Sequence, residues 1–508
     1  MAARWKYDLY IDGKWTRGAA DQDITVIDPA TEEQVGLVPE ATVADARAAI
    51  EAAHRAFYDG PWPYMKPAER GAKLKKLAEI LSSRKAELTD IVVAEAGVCT
   101  QLVEPLQVGN TLDICHYNAD KVQDLVEWVE SSHPIGGPNG MEGSALVREP
   151  VGVVAAITPF NFPFMLNVVK VMPAMAVGCT VVLKPHPWTP LDAFEIARAA
   201  DEAGIPPGVL NVITGGAEVG DELTGNPLVD MVTFTGSTAT GRRIMSRCGE
   251  QIKRVHLELG GKSARIFLDD VPEDYVRQHG FGAMLTHCGQ GCALQTRVLV
   301  PEKLLDPLVE GIRGMAPMLK IGDPRDPSTV IGPLISEQQR ARVEEYVASG
   351  IDEGATLVCG GKRPEGFDKG FFYEPTAFIG TNDMRIAREE IFGPVLTIIP
   401  YSGTDEEAVR IANDTIYGLD GGVVAENTSR AFNVARRIRT GRVMAEGVGS
   451  VGTVDPSLGG GQGPGWGQPI AGLGQGGAFG GFKQSGIGRE WGRHGMEDFT
   501  EVKSITWS

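Results

Sequence analysis

Four short hydrophobic runs between residues 148 and 237 constrain this chain more than any other feature. They read REPVGVVAAITP (148–159), TVVLKP (180–185), VLNVIT (209–214) and DMVTFTGS (230–237). Apolar residues at helical spacing fill the intervals, over 164–177, 190–203, 216–224 and 238–249. Valine-rich runs of this kind suit strands buried on both faces, and their alternation with helices predicts a parallel α/β sheet. Ligands in such sheets sit beyond the C-terminal strand ends. The polar residues that close each run therefore matter more than the runs themselves.

A second α/β series begins near residue 260. It comprises ARIFLD, a helix over about 272–290, RVLV, helices at 303–319 and 337–350, strands near 355–359, 371–377 and 395–399, and a helix at about 404–413. Two series in 508 residues fit two or three domains rather than one core. Upstream, DLYIDGKW predicts a hairpin turning at Asp12-Gly13. VADARAAIEAAHRAFYDG, the stretch from 68 to 97 and the stretch from about Val103 to Trp128 read as amphipathic helices.

The formal net charge of −18 argues against binding phosphate backbones or anionic membranes. Seven cysteines, an odd and low number for this length, fit a reducing, cytoplasmic setting rather than a disulfide framework. The N-terminal stretch lacks an apolar signal-like core, and no apolar run reaches transmembrane length. Residues 447–481 hold fifteen glycines, which predicts a long loop that is costly to order. Gly472, Gly474 and Gly477 form a GxGxxG there, but without the strand-then-helix context of a dinucleotide fingerprint.

Positions 287–297, HCGQGCALQTR, pose the chemical question. Cys292 and Cys288 are four apart, so this is no CxxC pair, and with no second Cys/His cluster and no HExxH, no metal site is expected. A buried structural cysteine and a nucleophile both remain open on the residues alone. Other segments narrow the choice. FTGST (234–238) places small hydroxyl residues between a strand and a helix, where backbone N–H groups suit a pyrophosphate. ITPFNFPF (157–164) sets Asn161 between stiffening prolines just after a strand. HLELGGKSA (256–264) sets Glu258 before paired glycines that permit close backbone approach.

Taken in order, PFNFP (159–163), KP (184–185), FTGS (234–237), ELGGK (258–262), GQGC (289–292), EEIFGPV (389–395) and FGGFKQSGIGRE (479–490) resemble the aldehyde dehydrogenase superfamily from about residue 7 to the C-terminus. The resemblance implies an α/β fold with a parallel Rossmann-type cofactor domain (1–127 and 151–259) and a second α/β catalytic domain (260–484, with a Gly-rich insertion at 447–478). It also implies a small β oligomerisation element (128–150 and 485–508) and hence a homodimer or homotetramer.

It implies that Cys292 is the nucleophile, that Asn161 and the Cys292 N–H form the oxyanion site, and that Glu258 is the base for deacylation. Lys170 and Glu490 match a pair that relays protons from that base. Thr158, Pro159, Lys184, Gly236, Ser237, Leu259, Glu390 and Phe392 would hold NAD. Pro187 stands where many NAD-preferring members carry a glutamate, which leaves NADP open.

Phe162, Val169, Gly291, Ala293 and Phe479 would line the substrate pocket. Val169 replaces a bulky aromatic found in several members, so a wide apolar pocket is expected, suited to a medium-chain, aromatic or terpenoid aldehyde. His287 and Glu446 each replace a usual asparagine. About twenty extra residues, with Trp466 and Ile470 as their bulky members, occupy the substrate-entrance wall. The alternatives are a coenzyme A-acylating member, against which Glu258 weighs, and a catalytically weak binding or structural homologue.

Overall fold

The computed structural model of the chain describes residues 3–19, 21–131, 135–137, 140–280, 285–448 and 477–507. The Gly-rich segment with Trp466 and Ile470, together with Gly472 and Gly474, lies outside these residues.

The four hydrophobic runs become strands Val153–Ile157, Thr180–Lys184, Leu210–Val212 and Met231–Thr235, every residue of them buried. Arg254–Glu258 is the fifth parallel strand. Across the eight-stranded sheet the order is Gly486–Ile487, Arg254–Glu258, Met231–Thr235, Val153–Ile157, Thr180–Lys184, Leu210–Val212, Leu9–Ile11 and Lys14–Thr16. From Val153–Ile157 the chain winds outward in one direction, then returns to its other side at Met231–Thr235. The C-terminal crevice at that reversal is where an open α/β sheet binds ligands. The edge strands run antiparallel. The N-terminal pair turns at Asp12 and Gly13, with φ of 53° and 72°, the positive values that a tight two-residue hairpin demands.

Helix Pro163–Val177 leaves this crevice with proline at its first position and is buried almost all round, as a helix hydrophobic on every face must be. The helix expected over 43–60 is Val43–Tyr58, started by a capping box between Thr42 and Asp45. The expected helix from Val103 to Trp128 is instead a π-helical turn, Val103–Gln107, followed by Gly109–Leu125.

The second sheet has the order Thr356–Cys359, Thr376–Ile379, Val395–Tyr401, Arg297–Pro301, Ala264–Phe267, Gly421–Ala425 and Met444–Gly447. It is parallel except at Thr356–Cys359. The helix expected over 272–290 is shorter: Glu273–His279, then a 3₁₀ turn at Thr286–Gly289. Residues 259–263 alone connect the last parallel strand of the first sheet to the first strand of the second. Thr500–Trp507, Gly140–Pro150 and Val129–Ser131 form a separate small antiparallel sheet. Gly486–Ile487 belongs to the edge of the large sheet, not to this small one.

Candidate active site

Two strand ends and one loop converge where the sheets meet. Glu258 closes the strand Arg254–Glu258, and LGGKS follows it. A Cβ on Gly261 would lie 2.3 Å from the Cys292 carbonyl oxygen, and one on Gly260 would lie 2.5 Å from Glu390 Oε2. Only glycine lets this connection press against both the cysteine loop and the Glu390 carboxylate. Gly261 N–H donates to Glu390 Oε1 at 2.9 Å.

Asn161 leaves the end of Val153–Ile157 and is buried. Its Nδ2 donates to the Gln290 carbonyl at 3.0 Å, and its own carbonyl accepts from Gln107 Nε2 at 3.0 Å. A side-chain amide has two N–H groups, so one holds the Cys292 loop and the second has no acceptor among the described residues. Gln290 in turn accepts from Ile335 N–H at 2.9 Å and donates to the His287 carbonyl at 3.2 Å. Gln107 carries no mark in the sequence, and Gln290 enters only as a member of GQGC, since a polar residue in a loop or helix carries no mark of its backbone partners.

The loop is strained. His287 and Cys288 have φ of 46° and 53°, a region that costs non-glycine residues energy. His287 is buried, its ring centroid 5.9 Å from that of Phe162, and burial lowers its pKa to about 4. It is a neutral packing group at ordinary pH. Cys288 is buried, whereas Cys292 is partly accessible. Burial pushes the Cys292 thiol up, and the carboxylates of Glu258, Glu390 and Glu490 add to that push.

Glu258 is 2% exposed and neither of its oxygens has a hydrogen-bond partner among the described residues. Burial raises its pKa well above the carboxylate range, and the neighbouring Glu490 raises it further. Lys170, on the buried helix, donates to Glu490 Oε1 at 2.7 Å and to Thr233 Oγ1 at 3.2 Å. The pair of residues matched from sequence is therefore in contact and fully buried, with side-chain exposures of 0% and 2%.

The expected cofactor residues border the sheet reversal. Thr158 N–H donates to the Lys184 carbonyl at 3.1 Å, and its hydroxyl donates to Asn167 Oδ1 at 2.6 Å. Gly236 N–H donates to the Glu258 carbonyl at 3.0 Å. Leu259 N–H donates to the Ser485 carbonyl at 2.9 Å. Ser237 caps helix Thr238–Gly249, accepting from Thr240 N–H, so the helix N-terminus faces the strand-end crevice. Phe392 lies edge-on to Phe160, centroids 5.7 Å apart, and Pro159 precedes Phe160 in the chain.

Two groups fit a phosphorylated, hydroxyl-bearing ligand. The Lys184 amine is buried without a carboxylate partner among the described residues, which lowers its pKa to about 8. Glu390 is half-buried with one N–H donor, and desolvation of its carboxylate raises it to about 7. A helix N-terminus beside such an amine suits a pyrophosphate.

Of the expected pocket residues, Phe162, Val169 and Phe479 are buried, while Gly291 and Ala293 flank Cys292 with partial exposure. Val169 and Trp491 line a narrow cavity with Ile114 and Pro173. Trp491 packs on Phe479 with centroids 4.5 Å apart. Glu446 forms a two-point ion pair with Arg265, at 3.2 and 3.0 Å. Arg265 also reaches Gln295, which contacts Asp420, itself paired with Arg442.

Comparison with known proteins agrees with this arrangement. The aldehyde dehydrogenase family pattern matches residues 15–473 and 468–505. A 3-succinoylsemialdehyde-pyridine dehydrogenase from a Pseudomonas species is 40% identical, with 98% of each chain covered. A betaine aldehyde dehydrogenase from Bacillus subtilis is 38% identical over 98% of this chain and 96% of its own. Among solved structures, a Mycobacterium tuberculosis aldehyde dehydrogenase complexed with NAD+ superposes with a TM-score of 0.89 at 44% identity, covering 99% of this chain and 98% of that one.

Proposed function

We propose that this chain, which belongs to the aldehyde dehydrogenase family, oxidises an apolar aldehyde to its carboxylic acid through a thioester on Cys292. It is an oxidoreductase that acts on aldehydes with NAD. Lys184, the N-terminus of helix Thr238–Gly249 behind Gly236 and Ser237, and Glu390 would hold that cofactor, with Thr158, Pro159, Leu259 and Phe392 around it. When bound, NAD supplies the hydride acceptor and a positive charge in the active-site crevice.

The chain's own residues account for the rest. Cys292, as thiolate, attacks the carbonyl carbon, since a neutral thiol is a poor nucleophile. The free N–H of Asn161 and the Cys292 backbone N–H meet the developing oxyanion, where preorganised donors act most strongly. Loss of hydride leaves an acyl group on the Cys292 sulfur. Glu258, once ionised, takes a proton from water as the water attacks the thioester carbon. The acid leaves and the Cys292 sulfur departs as thiolate. Lys170 and Glu490 support the return of Glu258 to its carboxylate form.

The observation that carries this reading is the buried carboxylate of Glu258, without a hydrogen-bond partner among the described residues and followed directly by the glycine pair that presses on the cysteine loop. Phe162 against His287 of the cysteine loop, Phe479 packed on Trp491, and the small Val169 in the cavity beside Trp491 support an aromatic or medium-chain aldehyde. A relative named for a pyridine-bearing semialdehyde is consistent with aromatic bulk. An aldehyde panel read by absorbance of reduced nicotinamide, with NAD and NADP in parallel, tests this. Aromatic and medium-chain aldehydes should exceed acetaldehyde about tenfold or more in kcat/KM. Equal turnover of all would contradict the apolar assignment.

The proposed division assigns 1–127 and 151–259 to cofactor binding and 260–484 to catalysis. Residues 128–150 and 485–508 would join copies of the chain. Exposed Val129, Val502, Ile505 and Trp507 on the small sheet support that last role. A dimer or tetramer by light scattering is the expected result, and a monomer the contrary one.

A further inference from the structure

We propose that His256 is a positioning residue for Glu258: a neutral imidazole that donates its Nε2–H to the ionised carboxylate and fixes it for water activation. The inference rests on the thioester reading above. His256 and Glu258 are two apart on one strand, so their side chains share a face. His256 Nε2 lies 3.9 Å from Glu258 Oε1. That is beyond hydrogen-bond length, yet neither atom has another partner among the described residues, and the two side chains are 1% and 2% exposed. Two buried, unpaired and complementary groups so close are rare outside functional sites.

The proton's place follows from counting donors. Lys170 Nζ donates to Thr233 Oγ1 at 3.2 Å, and Thr233 Oγ1 contacts His256 Nδ1 at 3.1 Å. Thr233 is also the register partner of His256 on the adjacent strand. The hydroxyl accepts from lysine, and its own proton has one acceptor among the described residues, His256 Nδ1. A neutral imidazole that accepts at Nδ1 carries its proton on Nε2, the nitrogen that faces Glu258.

The groups around the ring keep it neutral. Burial lowers its pKa well below the usual value, and Lys170 from the helix and Arg489 from the C-terminal segment lower it further. Glu490 stands behind Lys170. Asp498 and the edge of Phe499 complete the surround. Space for the closing movement comes from two glycines. A Cβ on Gly488 would lie 2.4 Å from His256 Cδ2, and one on Gly480 would lie 2.8 Å from Glu258 Oε1. While Glu258 holds its proton it draws the N–H weakly. Ionisation turns the contact into a charge-assisted hydrogen bond, roughly twice as strong as a neutral one.

The test follows the slow phase after the first burst of NADH, as a function of pH. His256→Leu should move the acidic limb of that phase up by about one pH unit and slow it about tenfold near neutrality, with the burst retained. His256→Gln, whose amide N–H reaches a similar point, should restore most of the loss. Thr233→Val frees the ring to place its proton on Nδ1 and should shift the limb in the same direction, with no further shift when combined with His256→Leu. An acidic limb unmoved in His256→Leu, or moved equally in His256→Gln, overturns the proposal. If His256→Leu does not fold, Thr233→Val decides by the same limb. Absence of an acyl group on Cys292 in acid-quenched Glu258→Gln after mixing with NAD and aldehyde, read by mass spectrometry, would instead remove the thioester reading on which the inference rests.

Discussion

Glu258 and Glu446 are both buried glutamates at the ends of parallel strands, one in each sheet, and they differ in what meets them. Glu446 is gripped at both oxygens by Arg265, within a chain of polar contacts that continues through Gln295 to Asp420 and Arg442. Glu258 has no hydrogen-bond partner at either oxygen among the described residues, and burial raises its pKa. Burial alone therefore does not make a carboxylate reactive. A matched guanidinium makes it a structural clasp, whereas withholding that partner leaves a group whose proton can be moved.

The largest effect expected on the reactive side is at the cysteine that this base serves. Cys292→Ala should reduce aldehyde oxidation about 10⁴-fold or more, with unchanged Tm, measured by NADH formation and thermal unfolding. Asn161→Ala should lower kcat/KM by about 10²- to 10³-fold. It also frees the Gln290 carbonyl, so the Cys292 loop should show faster amide hydrogen exchange.

On the structural side the ranking inverts. Glu446→Gln leaves the Arg265 charge buried without its counter-charge and should cost about 3–5 kcal/mol of stability in denaturant unfolding. Arg265→Met combined with Glu446→Leu should recover most of it. Activity loss from the single variant without a stability loss would put Glu446 in the reactive class and break the contrast.

The smallest effect concerns pH. The folded state keeps the Glu258 proton above the pH at which an unfolded glutamate loses it, so folding grows less favourable as pH rises from the ordinary glutamate value to the raised one. Glu258→Gln removes that loss. Its Tm relative to the parent should rise steadily as pH increases above the ordinary glutamate value, and a Tm difference that does not change with pH is the contrary result.

Much of this was legible before the structure. Runs such as VVAAI and TVVLK announce buried parallel strands because both faces are apolar, and they direct attention to the strand ends, while Thr158 and Lys184 are singled out there only by the family resemblance. Cys292, Asn161 and Glu258 were legible only through a set of motifs in order, since each alone is an ordinary residue near glycine. What escaped was set by tertiary contact. The edge pairing of Gly486–Ile487 needs a neighbour that no local pattern specifies, and the π-helical turn at Val103–Gln107 interrupts an otherwise continuous helical period.

His256 was within reach, since the two-residue strand period places it on the face of Glu258. Its partner Thr233, however, is fixed by register between strands, which the sequence does not display. Arg265 with Glu446 likewise lies across two strands separated by 181 positions.

The central claim is that Cys292 carries the acyl group while Glu258 releases it. Stopped-flow mixing of Glu258→Gln with NAD and an apolar aldehyde tests it most directly. The account predicts a burst of NADH close to one equivalent per active site, followed by turnover about 10²- to 10⁴-fold slower than in the parent. A variant in which burst and steady turnover fall together, or in which steady turnover continues at the parental rate, would contradict it.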